Sequence, residues 1–149
     1  KLENTKKIAD IFAKNIFKGN VILFYGEIGV GKTTFIKSLV NTLEKIDNKN
    51  ISEITSPTFS LMNQYKLNKF DIHHYDLYRL KSEKDILSLN IFEDISDKIV
   101  LIEWPEILGE HKPRNTIDIN FEYGENFNSR YLTISAYEKL KIFDEFKSL

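Results

Sequence analysis

Residues 26–33 read Gly26-Glu27-Ile28-Gly29-Val30-Gly31-Lys32-Thr33, which matches the pattern G-x-x-x-x-G-K-[ST] of a phosphate-binding P-loop. The five hydrophobic residues directly before this segment, 21–25, predict a buried strand. After it, apolar residues recur at helical spacing: Phe35, Ile36, Leu39, Val40 and Leu43. A strand, a glycine-rich loop and a helix in this order are the context that the motif requires, so a chance match in an ordinary turn is the weaker interpretation.

The chemistry of such a loop follows from its backbone. Glycines let the main chain approach an anion without a Cβ in the way, and the loop N–H groups and the positive end of the helix then face the phosphates. In this pattern Lys32 reaches the β- and γ-phosphates and Thr33 offers its hydroxyl to Mg²⁺. We therefore expect the phosphates of a nucleotide to be bound by Glu27, Ile28, Gly29, Val30, Gly31, Lys32, Thr33 and Thr34.

A second acidic position follows another apolar run. Residues 99–102 predict a buried strand, and Glu103 comes directly after them. Ligands of open α/β folds bind at the carboxyl ends of the strands, where an acid can hold Mg²⁺ directly or through water. Many buried strands end in an acid, so this pattern alone is weak evidence for a Mg²⁺ ligand. The P-loop in the same sequence favours that role over a chance strand end. Glutamate is longer than the usual aspartate, so direct coordination by Glu103 stays open.

Two further segments carry side chains suited to the γ-phosphate, its Mg²⁺ or an attacking water. The hydroxyls of the segment Thr55-Ser56-Pro57-Thr58-Phe59 can bind a γ-phosphate or its Mg²⁺, as those of GTPase switch loops do, although a Ser-Pro turn explains the same residues. Asp76 ends a strand-like stretch and is placed to orient water, although a surface salt bridge with Arg79 is the commoner explanation of such a residue. The side chains that we expect to act in hydrolysis are Lys32, Thr58, Asp76 and Glu103.

The rest of the chain alternates between helical and strand patterns. Residues 4–17 predict an amphipathic helix that Asn4 or Thr5 would cap. Further predicted elements are an antiparallel pair (58–66 and 70–78), a short helix capped by Ser82 (82–89), a hairpin (117–123 and 132–136) and a C-terminal helix (138–149). We therefore predict an α/β P-loop NTPase fold: a mainly parallel central sheet flanked by helices, with antiparallel additions, in one domain spanning residues 1–149.

Composition narrows the function classes. The 149 residues are 42% hydrophobic, enough for one domain with its own core. A formal net charge of -1 provides no overall basic field for nucleic acid. With no cysteine, disulfides and thiolate metal sites are excluded. No apolar run in the sequence approaches the length of a membrane span, so we expect no membrane association.

Missing motifs exclude several nucleotide-binding classes. We find neither N-K-x-D, which reads guanine, nor D-x-x-G after an apolar strand, so a signalling GTPase is disfavoured. A nucleotide kinase needs an arginine-rich lid, and this sequence has only Arg79, Arg114 and Arg130. The adjacent His73 and His74 would point to opposite faces of a strand, so we do not expect a metal site there.

Four segments in this order resemble the TsaE (YjeE) family of small bacterial P-loop ATPases. They are residues 26–35, Ser56-Pro57-Thr58-Phe59, His74-Tyr75-Asp76-Leu77-Tyr78-Arg79-Leu80 and Ile102-Glu103-Trp104-Pro105-Glu106. The P-loop is common to many families, whereas the combination of the other three is specific. The resemblance runs from Thr5 to about Ala136, nearly the whole chain.

This resemblance implies a cytoplasmic protein that binds ATP or ADP with Mg²⁺ and hydrolyses ATP. We expect slow hydrolysis in isolation, because no arginine of the sequence is obviously poised as a finger in the phosphate site. The resemblance implies that the protein acts together with a TsaD–TsaB threonylcarbamoyl transferase, which makes threonylcarbamoyladenosine at position 37 of tRNA. Contact with the tRNA would then be indirect, through that complex. The resemblance also implies that Asp76 and Trp104 lie near the phosphates, that Thr58 lies in a switch-like loop, and that Thr5 and Arg130 lie near the nucleotide. The residues alone leave open a nucleotide-sensing module without hydrolysis and a small-molecule kinase.

Overall fold

The computed structural model describes residues 2–57, 59–125 and 129–136. In chain order its elements are α1 (Leu2–Asn15), β1 (Val21–Tyr25), α2 (Lys32–Ile46), β2 (Met62–Lys66), β3 (Asp71–Asp76), α3 (Glu83–Leu89), β4 (Lys98–Glu103), β5 (Thr116–Tyr123) and β6 (Arg130–Ala136). Two 3₁₀ segments, Ile95–Asp97 and Pro105–His111, flank β4. The helix predicted for residues 138–149 lies outside the described residues and stays a prediction.

One six-stranded sheet, in the order β2-β3-β4-β1-β5-β6, organises the described residues. Its four inner strands pair in parallel, and the two outermost strands pair antiparallel to their neighbours. The predicted mainly parallel sheet with antiparallel additions is therefore confirmed. The inner strands read as continuous apolar runs because helices or 3₁₀ segments cover both faces of the sheet.

Each face of the sheet has its own apolar cluster, since side chains alternate along every strand. On one face α1 and α2 pack over Ile22, Phe24, Ile72, Ile99 and Leu101. On the other face α3 and the second 3₁₀ segment pack over Val21, Leu23, Tyr75, Val100 and Ile102. None of the helices that the structure describes has an apolar stretch long enough to cross a bilayer.

Several predicted element ends shift once the tertiary structure is considered. Helix α1 begins at Leu2, so Asn4 and Thr5 lie in its first turn and the predicted cap is wrong. Strand β2 begins only at Met62, because the preceding Leu61 has a positive φ of 68° that ends the extended conformation. Ser82 does occupy the N-cap position of α3, but its side chain makes no capping hydrogen bond.

Gly26, at the junction of β1 and the P-loop, is packed where no side chain fits. Its φ is 142°, and a Cβ built on it would lie 2.8 Å from the Phe121 carbonyl oxygen and 3.0 Å from Val30 Cγ1. Because β5 pairs directly with β1, the backbone of Phe121 comes close to the start of the loop. The requirement for glycine here comes from strand packing as well as from the loop's own conformation.

We expect Gly26→Ala to destabilise the fold by about 1–3 kcal/mol beyond its backbone strain, because the new methyl group meets main-chain atoms that cannot move aside. Gly19→Ala is the matched control: φ is 97° there, yet nothing lies within 4 Å of the added Cβ. That control should show only the left-handed backbone cost, about 1–2 kcal/mol. Urea unfolding of both variants measures the difference, and equal losses would contradict the packing argument.

Candidate functional site

The P-loop joins the carboxyl end of β1 to the first turn of α2, which begins at Lys32. Gly31 occupies the N-cap position in a left-handed conformation, and no side-chain hydrogen bond caps the helix there. The first N–H groups of an α-helix have no partner within the helix, and together with the helix dipole they attract anions. The local structure therefore fits the phosphate site that the sequence motif predicts.

Strand register aligns two acids beside this loop. On β4, Glu103 is paired with Phe24 of β1 on one side and with Asp76 of β3 on the other. All three strands run in the same direction, so their carboxyl ends meet at the edge of the sheet where the P-loop starts. Asp76 and Glu103 are buried, with 4% and 3% of their surfaces exposed.

Glu103 is the centre of a hydrogen-bond network. Its Oε1 accepts a hydrogen bond from Thr33 Oγ1 at 3.0 Å, and its Oε2 lies 2.7 Å from Nε2 of the fully buried His74. Ser56 Oγ lies 3.2 Å from Glu103 Oε2 and 2.6 Å from Asp76 Oδ2. The network thus joins the helix after the P-loop, two strands and the loop that precedes β2.

The protonation state of Glu103 follows from these contacts. Burial raises the pKa of its carboxyl group, but the hydrogen bond and charge of His74, the Thr33 hydroxyl and the Lys32 ammonium lower it more. The net effect places the pKa of Glu103 below its ordinary value. Near neutral pH Glu103 is therefore an anion at the mouth of the P-loop, as a cation-binding group must be.

Lys32 is held between a carbonyl and an aromatic ring. Its Nζ donates to the Gly26 carbonyl oxygen at 2.6 Å and lies 3.6 Å from the centroid of the Trp104 ring. Burial lowers the pKa of Lys32, while the charges of Glu103, Glu106 and Asp76 act in the opposite direction. The charge thus lies within the site, in contacts that a bound phosphate would replace.

Trp104 directly follows β4 and has the left-handed conformation φ 57°, ψ 54°, an uncommon one for a bulky residue. Its ring lies 4.9 Å from the ring of Tyr78. Such backbone outliers concentrate at functional sites, where the surrounding structure holds them in place. Here the conformation turns the only tryptophan of the chain toward Lys32.

A cavity of about 380 Å³ collects most of the predicted site residues. It is lined by Ile28, Gly29, Gly31, Lys32, Thr33, Thr34, Ser56, Asp76, Tyr78, Glu103 and Trp104. The lining residues of the P-loop and α2 lie on one side of the cavity, and those at the ends of β3 and β4, Asp76 and Glu103, lie on the other. The size suits the polyphosphate part of a nucleotide, and the lining combines one cation with two acids.

Other predicted residues lie elsewhere. Glu27 and Val30 line a separate cavity beside β5. Arg130 braces the P-loop from outside: its Nε donates to the Val30 carbonyl oxygen at 3.2 Å, and its guanidinium lies 4.2 Å from the Tyr123 ring centroid. Thr5 is in the first turn of α1 and is not among the residues that line either cavity. Thr58 lies outside the described residues.

Two side chains of the network were not assigned a role from the sequence. The sequence places Ser56 among the hydroxyls of a switch-like segment or Ser-Pro turn, and His74 in a family motif and beside His73, without an individual role for either. Asp76, in turn, is buried and accepts a hydrogen bond from the Tyr78 N–H at 3.0 Å, so it is not a surface residue. Side chains alternate along β3, so the sequence does place His74 and Asp76 on one face. Only the pairing of β3 with β4 shows which residues they contact.

The oxygen atoms of Thr33 and Glu103 fit a divalent cation. A hydroxyl and a carboxylate are oxygen ligands of the kind that Mg²⁺ takes, and Thr33 Oγ1 and Glu103 Oε1, 3.0 Å apart, would be the protein groups that hold it. No group of three His, Asp or Glu side chains in the described ranges can share a metal ion. Such a pair suits Mg²⁺ that takes its other ligands from phosphates and water.

The charge of Glu103 leads to a pH-dependent prediction. Its lowered pKa means that the ionised carboxylate stabilises the fold above the unfolded-state pKa, and that this contribution is lost as the pH falls through the folded-state value. At about pH 7 we expect Glu103→Gln to lose about 1.5–3 kcal/mol, the range for hydrogen bonds to a charged group. The difference from the wild type should shrink below roughly pH 4.

Urea unfolding from neutral to acidic pH measures this difference. Glu110→Gln is the control, because Glu110 is exposed and a charge in water contributes little. A stability gap for Glu103→Gln that is as large in acid as at neutral pH would contradict the proposed role of the charge.

Comparison with known proteins shows the family to which this chain belongs. Residues 1–132 match the family model "Threonylcarbamoyl adenosine biosynthesis protein TsaE". The protein named tRNA threonylcarbamoyladenosine biosynthesis protein TsaE of Rickettsia conorii is 37% identical, over 92% of this chain and 75% of its own. The protein of the same name from Nostoc sp. is 36% identical, over 91% of this chain and 82% of its own.

A solved structure shows the same fold. The crystal structure of YdiB from Bacillus subtilis aligns with a TM-score of 0.72 and covers 99% of this chain and 89% of its own, at 22% sequence identity. At that identity the likeness supports the fold alone, whereas the family is shown by the family model and the two relatives. The chain belongs to the TsaE family.

Proposed function

We propose that this chain is a Mg²⁺-dependent ATPase required for making threonylcarbamoyladenosine at position 37 of tRNA, acting beside a TsaD–TsaB transferase in the cytoplasm. Family membership supports the pathway, since the family model and the relatives carry threonylcarbamoyladenosine biosynthesis in their names. The partner pair and the contact with tRNA through it follow from the resemblance of the sequence motifs. The transfer chemistry then belongs to the partners.

One observation carries the ATPase part of the proposal: Lys32, Thr33, Asp76 and Glu103 line the same cavity at the carboxyl edge of the sheet. A binding module needs the first two for phosphates. Two buried acids next to them add groups that can hold Mg²⁺ and orient water. This arrangement suits phosphoryl transfer to water better than binding alone.

The proposed roles follow from the contacts. Lys32 exchanges the Gly26 carbonyl and the Trp104 ring for the β- and γ-phosphates, which offer its charge stronger hydrogen bonds. Thr33 and Glu103 would hold Mg²⁺, which would supply positive charge to neutralise the phosphate oxygens. Asp76 orients the attacking water, and its own orientation is fixed by Ser56 and the Tyr78 N–H. Thr58 remains a prediction for the γ-phosphate.

Slow hydrolysis by the isolated chain also follows. Among the described residues that line the cavity, Lys32 is the one cationic side chain. An arginine finger contributes about 10³–10⁵ in rate where one is present. A partner that supplies a further cation would therefore raise the rate, and the family resemblance implies that each turnover resets a complex.

The proposal is tested by reconstitution with a TsaD–TsaB pair, tRNA and ATP. We expect hydrolysis to rise when the pair is added and modified tRNA to accumulate only with both ATP and this chain. Lys32→Ala should abolish both, because the loop loses its charge for the phosphates. Modification with no hydrolysis would favour a nucleotide sensor, and transfer of phosphate to an acceptor other than water would favour a kinase.

A narrower prediction concerns Asp76. Asp76→Asn keeps the size of the side chain and its contact with the Tyr78 N–H, but it removes the charge that orients water. We expect ADP affinity to stay within about twofold and partner-stimulated hydrolysis to fall by about 10²-fold. Asp71→Asn, at the other end of β3, is the control and should retain wild-type hydrolysis. Normal hydrolysis in Asp76→Asn would contradict the assigned role.

A further inference from the structure

We infer that His74 is a positioning residue: its ring holds one oxygen of Glu103 so that the other faces Thr33 and the Mg²⁺ of the bound nucleotide. This inference rests on the proposed function, because it assigns His74 a purpose only where Glu103 binds the cation. The ring of His74 is fully buried, and it does not line the nucleotide cavity. It therefore acts through Glu103 rather than by contact with a ligand.

The sheet register places His74 beneath Glu103. His74 is paired with Leu101 on β4, and Glu103 lies two residues further along that strand. Side chains two residues apart share a face of a strand, so Leu101 and Glu103 both lie on the face toward α2. His74 thus approaches Glu103 from the core side, opposite to the cavity, and Nε2 meets Oε2 at 2.7 Å.

The hydrogen bonds divide the two oxygens of Glu103 between two tasks. Oε2 faces His74 and Ser56, whereas Oε1 faces Thr33. An ionised carboxylate can only accept, so the proton of the 2.7 Å contact lies on Nε2 of His74. Rotation about the last side-chain bond of a glutamate has broad minima, so a donor fixed on Oε2 is what keeps Oε1 toward Thr33.

His74 is the fixed member of this pair of donors. It lies within a central strand, whereas Ser56 lies in the loop before β2. The ring makes no other hydrogen bond in the described part of the chain, because its buried Nδ1 has no partner there. The contact with Glu103 is therefore the one hydrogen bond of this ring among the described residues.

Two simpler explanations account for less. A structural metal site is disfavoured because the described residues offer no cluster of three ligands. Plain core packing would be served by an apolar residue, as at the neighbouring Ile72, which is also fully buried. Groups that orient a metal-binding side chain from behind commonly change metal affinity by about 10–100-fold when removed. That effect, rather than a loss of stability, is the property to measure.

The test compares His74→Gln with His74→Asn. The longer amide places its N–H₂ group near the position of Nε2 and can still donate to Glu103, whereas the shorter amide cannot reach it. Both variants bury an amide, so a cost in stability affects both. His73→Gln is the matched control, since His73 lies on the same strand and points to the opposite face.

The readout is ADP binding, followed by calorimetry and Trp104 fluorescence, with and without Mg²⁺, together with the melting temperature. We expect His74→Asn to need about tenfold more Mg²⁺ for half-maximal Mg²⁺-dependent binding, with an unchanged ADP affinity in the absence of Mg²⁺. His74→Gln should need within about threefold of the wild-type concentration, and His73→Gln should match the wild type. The split between the two amides is the signature of positioning.

Different results would contradict the positioning role of His74 and the proposed function on which it rests. Equal Mg²⁺ requirements in His74→Asn and His74→Gln, whatever their melting temperatures, would overturn the positioning role and leave a packing role. A wild-type chain that binds ADP with no response to Mg²⁺ would instead refute the proposed function on which the inference rests. If His74→Asn melts lower yet binds Mg²⁺-ADP as the wild type does, the inference is likewise wrong.

Discussion

The hydrogen bonds to Glu103 are the interaction on which the rest of the site depends. They come from Thr33 at the start of α2, from His74 in the middle of β3 and from Ser56 in the loop before β2. A carboxylate that is almost fully buried persists as an anion only when such donors compensate for lost water. Each donor that satisfies Glu103 therefore also fixes the position of its own element relative to the P-loop.

Ser56 shows how this constraint reaches a loop. Its hydroxyl has one proton to donate, yet its oxygen lies within 3.2 Å of Glu103 and 2.6 Å of Asp76. The hydroxyl can donate to only one of the two acids at a time, and under the proposed function a cation held by Glu103 would lie beside this shared contact. The base of the same loop is anchored separately, since the N–H of Ser52 donates to the buried Glu44 at 3.1 Å. Hydrogen bonds thus attach the loop to Glu44 of α2 at Ser52 and to the two acids of the site at Ser56.

The contacts of Lys32 follow the same logic. Without a phosphate its charge is satisfied by the Gly26 carbonyl and by the face of Trp104, and burial still lowers its pKa. A cation–π contact contributes about 0.5–2 kcal/mol, less than the charge-assisted hydrogen bonds of a phosphate. The side chain is therefore already held in the site, and under the proposed function a phosphate would replace both contacts. The strained backbone of Trp104 is part of that arrangement.

The sequence by itself determined the P-loop, the strand before it, the helix after it and the family, because a motif and its flanking periodicity are local properties. It also placed Glu103 and Asp76 at strand ends, since each follows an apolar or strand-like run. It could not show that these acids are neighbours, because that depends on the register of three parallel strands. Asp76 of β3, Glu103 of β4 and Phe24 of β1 are paired across the sheet. Nor could the sequence assign His74 to Glu103, since the two are 29 positions apart, or show that Arg130 contacts the P-loop from outside. Long-range pairing alone decides which buried polar group meets which, and only the tertiary structure contains that information.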